Sequence, residues 1–323
     1  MLDDGLEQRS EVALAHRVLA TSVAIATRRI EHREVERLLR RIEVDAAILF
    51  SDLLIPLEPM GLPFDFVKGE GPQIERPIRT PQDIAALKTF DPRESLGHVL
   101  EAIRQIQREL AGRVPLIGFA GAPFTVASYL IEGRPSRTYQ NTKKMMHTDE
   151  VLWHEVMERL VQHSVLFISA QLTAGAEAFQ VFDSWAGALD RADYDRFVKP
   201  HTTAVFSQLA ELHPGVAGIH YGIGCDHLLE SMNTVGNSVI GLDWRTPISA
   251  ARTRLGADTV VQGNLDPALV LAGTDVALAG ADKVLAENAG HPGHIFNLGH
   301  GITPQARIES FQAVLDAVVA SGV

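Results

Sequence analysis

The chain has a single cysteine, Cys225, among its 323 residues. One thiol cannot close a disulfide within the chain or build a cysteine-based zinc cage, and a reducing cytoplasm fits that usage. Long apolar runs are also missing. No segment reaches the roughly eighteen uninterrupted apolar residues of a membrane span, and the acidic start Met1-Leu-Asp-Asp-Gly5 lacks the basic region of a secretory signal. The expectation is a cytoplasmic protein with no membrane partner. Cationic excess is lacking as well: 29 Lys and Arg face 40 Asp and Glu, for a formal charge of -11. Binding along a nucleic acid draws on clustered cations that displace counterions, so nucleic acid is excluded as an expected partner. Any acidic ligand must be held by local donors against the overall field. Without repeats, low-complexity tracts or a Ser/Pro linker, the main body reads as one domain.

What is present is an alternation of short apolar runs with longer amphipathic ones in a chain that is 46% apolar. Strands are expected at 46–52, 115–120, 178–184, 216–222, 238–243, 259–263 and 295–299. Helical patterns lie at 84–88, 99–110, 150–173, 194–212, 226–234 and 267–288. Nearly continuous apolar strands separated by helices imply a parallel sheet covered on both faces. The fold class is α/β, a (β/α)8 TIM-type barrel with its first strand altered or missing. Seven strands are clear, and residues 22–27 are the only candidate for the eighth. That run sits within 7–42, where Glu/Arg spacing suits one or two helices; helix is the expectation for the segment 1–37, ahead of a barrel domain over 38–323. Residues 53–80, with five prolines and three glycines, read as a structured loop on the face where barrel loops build sites.

The strand ends carry the chemistry. Asn297-Leu-Gly-His300-Gly301 and Gln262-Gly-Asn-Leu-Asp-Pro267 each end an apolar run in a polar, Gly-rich turn. A histidine in such a turn is by itself more often a satisfied or exposed residue than a catalytic one. Phe50-Ser51-Asp52 places a carboxylate after an apolar strand, where it serves either chemistry or an arginine or helix cap. Gly118-Phe-Ala-Gly-Ala-Pro-Phe-Thr125 followed by Tyr129 puts a phenol one turn into a helix, against the plainer reading of a packing tyrosine. Phe182-Asp-Ser184 offers a hydroxyl or an N-cap. His220-Tyr-Gly-Ile-Gly224 and Leu242-Asp-Trp-Arg-Thr-Pro247 complete the ring, with Arg245 as a partner for Asp243, Asp266 or another acid.

Taken together, Val44-Asp-Ala-Ala-Ile-Leu-Phe-Ser-Asp52, Pro115-Leu-Ile-Gly-Phe-Ala-Gly-Ala-Pro-Phe-Thr125, Ser128-Tyr-Leu-Ile-Glu-Gly133, Val181-Phe-Asp-Ser-Trp-Ala-Gly187, Asp243-Trp-Arg-Thr-Pro247, Gln262-Gly-Asn-Leu-Asp-Pro267 and Phe296-Asn-Leu-Gly-His-Gly301 resemble the uroporphyrinogen decarboxylase family, in family order from about Leu38 onward. The resemblance implies a homodimeric carboxy-lyase without a cofactor or metal that removes four carboxyl groups from the acetate arms of uroporphyrinogen III, giving coproporphyrinogen III and CO2. It implies that Asp52 is catalytic and binds substrate by accepting hydrogen bonds from the pyrrole NH groups. Tyr129, Ser184 and His300 would contact the acidic arms, and Ile48, Phe119 and Phe182 would wall the pocket.

One family feature is absent. Residues 1–37 contain no Arg-Gln-Ala-Gly-Arg-Tyr run, whose arginines bind arm carboxylates; Arg28-Arg29 is the nearest offering, with a solvated helix face beside Glu31 and Glu34 as the favoured reading. A start or reading frame displaced upstream of Leu38 would account for the divergence. On the helical reading the chain binds uroporphyrinogen weakly and turns it over slowly, and grafting the arginine signature restores activity. Two alternatives stand beside an active decarboxylase. One is a porphyrinogen-binding member that does not turn over. The other is a corrinoid-linked zinc methyltransferase, which needs two cysteines where this chain has His220-Tyr-Gly222 and Gly299-His300; Cys225 then reads as a small buried filler.

Overall fold

In the computed structural model, residues 25–26, 44–67, 71–303 and 305–322 are described. The strands are β1 (Ile25–Ala26), β2 (Ala47–Phe50), the pair β3 (Phe64–Val67) and β4 (Gly71–Ile74), β5 (Leu116–Gly121), β6 (Ala178–Asp183), β7 (Ala217–Gly222), β8 (Val239–Gly241), β9 (Val261–Leu265) and β10 (His294–Leu298). Apart from the β3–β4 hairpin they form one sheet in the order β1-β2-β5-β6-β7-β8-β9-β10, and every neighbouring pair runs parallel. Parallel neighbours need crossovers. Here these carry the helices α1 (Gly97–Leu110), α2 (Pro123–Glu132), α3 (Gln140–Thr148), α4 (Glu150–Ala174), α5 (Lys199–Leu212), α6 (Ile248–Leu255) and α7 (Thr274–Asn288), with α8 (Ile308–Ala320) following β10. This is the TIM-barrel type of α/β fold; among the described residues no hydrogen-bonded pairing joins β10 back to β1.

The seven strands expected from apolar runs are all present. At the eighth position the expectation of helix fails where it can be compared: Ile25 and Ala26 pair with Leu49 and Phe50 as a parallel strand. Glu/Arg spacing registers only the gain a helix makes along itself, whereas the exposed edge of β2 offers backbone partners that a neighbouring segment can take up. The rest of 1–43, including Arg28, Arg29 and the bulk of the 1–37 segment, lies outside the described residues.

Side-chain alternation divides the sheet into two packing layers. Ala46, Ile48, Ile117, Ala178, Ile219, Val239 and Ile295 form a small aliphatic cluster with the half-buried Phe182, and above it Gln262 donates to Gln180 across two strands that are not neighbours (3.1 Å). Those side chains fill the lumen. The other parity faces the helices, as where Phe179 of β6 packs on Phe206 of α5 with ring centroids 5.6 Å apart. Residues 53–80 do form a structured connection, but it contains the β3–β4 hairpin, which alternation broken by Pro72 conceals. Leu54, Leu57, Met60, Ile74 and Ile78 anchor that connection in the core. Cys225 behaves as a filler: it is buried, its Sγ would lie 2.6 Å from a Cβ at Gly222, and its thiol donates to the Ile223 carbonyl.

Three buried histidines make stability depend on acid. Burial pushes the imidazoles of His163, His201 and His294 down to about 4 from an ordinary 6.5. The His294 Nε2–H donates to the Gly263 carbonyl (2.7 Å), leaving Nδ1 buried without a partner. The unfolded chain takes up these protons near pH 6.5 and the folded chain only near pH 4, so stability is intact above 6.5 and falls as pH drops through that interval. The loss approaches about 3 kcal/mol per histidine below pH 4. We expect the thermal midpoint to fall steeply from pH 6.5 to 4, and His294→Gln, which keeps a donor to Gly263, to flatten the slope. A variant with an unchanged slope would show that His294 titrates freely.

Candidate active site

Because the strands are parallel, the ends of β2, β6 and β10 open on the same face, and the residues just beyond them share it. Asp52 follows Phe50 by two residues, Ser184 follows Asp183 directly, His300 follows Leu298 by two, and Tyr129 lies in α2, which leaves β5 through Ala122. The structure thus brings the four polar candidates to one end of the barrel.

Asp52 accepts a hydrogen bond from the Leu54 N–H (2.8 Å). Burial nevertheless raises its carboxyl above the usual carboxylate range, with the Leu54 bond opposing. No cation pairs with it among the described residues, so the reading of Asp52 as a partner for arginine fails there. Tyr129 feels this charge: burial, then the nearness of Asp52, pushes its phenol up to about 12. It therefore stays a hydrogen-bond donor at any physiological pH. Its ring lies on Trp185 with centroids 3.8 Å apart, and Tyr139 approaches the same indole at 5.2 Å. Tyr139 is also pushed up to about 12, by burial and then by Tyr129 and Glu132. Trp185 and Tyr139 were not singled out in the sequence; Trp185 lies within a quoted motif, while Tyr139 has no local signal beyond the turn that precedes it.

Ser184 is half-buried, and its N-cap reading fails because Trp185 caps the short turn Ala186–Ala188. Its hydroxyl makes no hydrogen bond among the described residues. Next to it Asp183 is fully buried, accepting from the Thr125 hydroxyl (3.0 Å), which ties the start of α2 to the end of β6. Phe182 meets Tyr221 edge-on at 5.9 Å, and the Tyr221 hydroxyl donates to the Gly299 carbonyl (2.7 Å), fixing the turn that presents His300. His300 is exposed and meets Trp244 edge-on at 6.0 Å. Arg245 stacks on Trp244 (3.9 Å) and pairs with Asp243 (2.6 Å). Asp243 also accepts from the Gly224 and Arg245 N–H groups, so Arg245 holds loops together as its plainer reading had it. Asp266 caps Pro267–Ala272 instead.

The apolar candidates divide. Ile48 belongs to the lumen cluster below Asp52, and Phe182 is half-buried above it. Phe119 is buried and packs edge-on against Phe167 of α4 at 6.0 Å, while its N–H and carbonyl both bond the Gln171 side chain. These contacts tie it to the helix layer and not to an open wall. The Gln262 and Asn264 amides of the second Gly-rich motif are structural: Asn264 donates to the Asp243 and Thr246 carbonyls.

Among the described residues Asp52 thus stands at the C-terminal mouth of the parallel sheet with no paired cation and with the Tyr129 phenol near it, an arrangement able to favour a positive charge beside it. The comparisons name the family. The family model described as uroporphyrinogen decarboxylase (URO-D) matches residues 35–320. Uroporphyrinogen decarboxylase of Sorangium cellulosum is 49% identical over 86% of this chain and 79% of that one. The Thermus thermophilus protein of the same name is 48% identical over 86% and 80%. The chain belongs to the uroporphyrinogen decarboxylase family and is a carboxy-lyase. A solved methyltransferase from Methanosarcina mazei matches with a TM-score of 0.78 at 19% identity, over 90% of this chain and 85% of that one. That likeness is one of fold alone. Among the described residues no helix is long and apolar enough to cross a membrane.

Proposed function

We propose that the chain decarboxylates all four acetate arms of uroporphyrinogen III to give coproporphyrinogen III, with Asp52 as the group that stabilises charge in each round. An acetate arm cannot release CO2 unaided, because the electrons of the breaking C–C bond have nowhere to go. Protonating the α-carbon next to the ring carbon that bears the arm makes the pyrrole a cation with positive charge on the arm-bearing carbon, and that cation accepts the pair as CO2 departs, leaving an exocyclic methylene. Reprotonation of the exposed methylene carbon and loss of the ring proton then return the aromatic pyrrole with a methyl group. Two protons enter and one leaves, so each arm exchanges CO2 for H.

The observation that supports this reading is an Asp52 carboxylate that no cation pairs among the described residues. Pyrrole NH groups are donors only, and the intermediate is cationic, so an acceptor-only anion suits both. Tyr129 and Ser184 serve as donors to the arms on the β5–β6 side and His300 on the opposite side. Ile48 and Phe182 limit water beneath the macrocycle. The same reading takes the protein as a cytoplasmic homodimer with the clefts of its two copies facing one another; sedimentation of the purified chain as a monomer would remove that part.

Under anaerobic conditions the purified chain should release four CO2 per uroporphyrinogen III, with coproporphyrinogen III as the final product by chromatography. Binding without CO2 release would favour the porphyrinogen-binding member that does not turn over. With strand at Ile25–Ala26 in place of helix, the expectation of weak binding loses its premise, and turnover by the unmodified chain is the expected result.

A further inference from the structure

The loop from Gly133 to Tyr139 bounds a cavity of about 680 Å³ whose lining includes Arg79, Glu132, Arg134 and Arg137. None of the polar candidates Asp52, Tyr129, Ser184 or His300 lines it. We propose that this basic cavity is a second anchoring point for the substrate, binding carboxylate arms that overhang the Asp52 cleft. The proposal rests on the tetrapyrrole reading of the site.

Charge is the first argument. Elsewhere on this acidic surface several exposed arginines find acids: Arg93 pairs with Asp91, Arg108 with Glu101, Arg196 with Glu150 and Arg254 with Glu230. Arg134 and Arg137 are exposed and make no ion pair or hydrogen bond among the described residues, and Arg79 is held only by the Ile131 carbonyl. One acid, Glu132, shares the lining with them, its oxygens held by the Thr142 N–H and hydroxyl and by the Asn141 amide. Three guanidinium groups therefore share a lining with a single carboxylate, a local excess of positive charge in a protein of net charge -11. A guanidinium presents paired donors in the spacing of a carboxylate, so the chemistry they fit is that of a polycarboxylate.

Rigidity is the second. The Ser136 hydroxyl accepts from the Tyr139 N–H (2.9 Å) and the Thr138 N–H (3.3 Å). Gly133 ends α2 at φ +79, donating to the Tyr129 carbonyl (2.8 Å), and a Cβ there would lie 2.5 Å from Pro77. Pro135 packs on Gly71 of the β3–β4 hairpin. The arginines thus stand on a loop whose backbone is already fixed, which spares ordering cost on binding.

Position is the third. The loop begins one turn beyond Tyr129, whose phenol senses Asp52, and ends at Tyr139, whose ring meets the Trp185 indole that stacks on Tyr129. The loop that lines the cavity is therefore joined at both ends to the aromatic set beside Asp52. A tetrapyrrole macrocycle with eight acidic arms extends well past the single carboxylate at its centre.

The test is steady-state kinetics with uroporphyrinogen III for wild type, Arg134→Gln/Arg137→Gln and a control, Arg108→Gln. The double variant should raise KM about tenfold, lower kcat less than threefold, and reduce the dependence of KM on ionic strength. The control should leave KM unchanged. A double variant with wild-type KM and salt dependence overturns the anchoring point while leaving the decarboxylase reading intact. If the wild type releases no CO2, the decarboxylase reading fails first, and quenching of uroporphyrin fluorescence then decides the cavity's role. Weaker binding by the double variant supports it, and equal binding overturns it.

Discussion

Replacing Asp52 by Asn is expected to lower turnover of uroporphyrinogen by about a thousandfold, the scale on which a preorganised charge-stabilising group acts. The amide keeps the shape and one acceptor for the Leu54 N–H but loses the charge that faces the pyrrole cation. Stability should move the other way. Burial raises the Asp52 carboxyl, so the folded chain holds that proton more readily than the unfolded chain does, and the ionised group costs stability at neutral pH. The Asn variant should match or exceed the wild-type unfolding midpoint at pH 7. The acid limb of the wild-type kcat/KM profile should lie above the ordinary carboxylate range of 3.8 and be absent from the residual activity of the variant. A variant with near-normal turnover would remove Asp52 from the chemistry; a variant that unfolds early would make its role structural.

The legible parts of this protein were those governed by local pattern. The apolar runs ending in Asp52, Ser184 and the Gly299-His300 turn read as strands because parallel strands buried on both faces stay apolar along their length. Parallelism then placed their ends together without knowledge of any distance. What did not read through depends on partners remote in sequence. The strand at Ile25–Ala26 exists by pairing with Leu49 and Phe50; the short apolar run 22–27 offers it as a strand candidate, but the Glu/Arg spacing around that run favours helix. Trp185 and Tyr139 meet across more than forty residues of chain. Phe119 was assigned to the pocket wall by resemblance, while its ring packs on Phe167 and its backbone on Gln171. The convergence of Arg79 with Arg134 and Arg137 needs the hairpin and α2 to be folded onto one another.

The opposite pole of the barrel should respond in the opposite way. Arg252 of α6 is buried, yet among the described residues no acid pairs with it. Its Nε donates to the Asn288 amide oxygen (3.0 Å) and its two terminal nitrogens to the carbonyls of Ala257, Thr259, Pro292 and Gly293. Those carbonyls belong to the turns that enter β9 and β10, so one guanidinium ties together the N-terminal ends of two strands, on the face where barrels keep their stability and not their chemistry. Arg252→Met preserves much of the side-chain volume but removes the guanidinium donors from five acceptors, of which the Asn288 amide oxygen is buried, the Thr259 residue is half-buried, the Gly293 carbonyl keeps the Val261 N–H, and the Ala257 and Pro292 residues are exposed. At about 1 kcal/mol for each acceptor that water does not reach, this amounts to a loss of about 2–3 kcal/mol, a sizeable part of the roughly 5–15 kcal/mol that holds a domain folded. The thermal midpoint of a chain this long should drop by about 3–5 °C. Arg252→Lys should recover less than half, since an ammonium cannot span acceptors placed for a fork. Below the new midpoint, kcat/KM for uroporphyrinogen should stay within about threefold of wild type, because nothing in the Asp52 cleft touches this cluster. Loss of activity at a temperature where the variant is fully folded would show that the two poles are coupled; an unchanged midpoint would mean that water replaces the guanidinium at no cost.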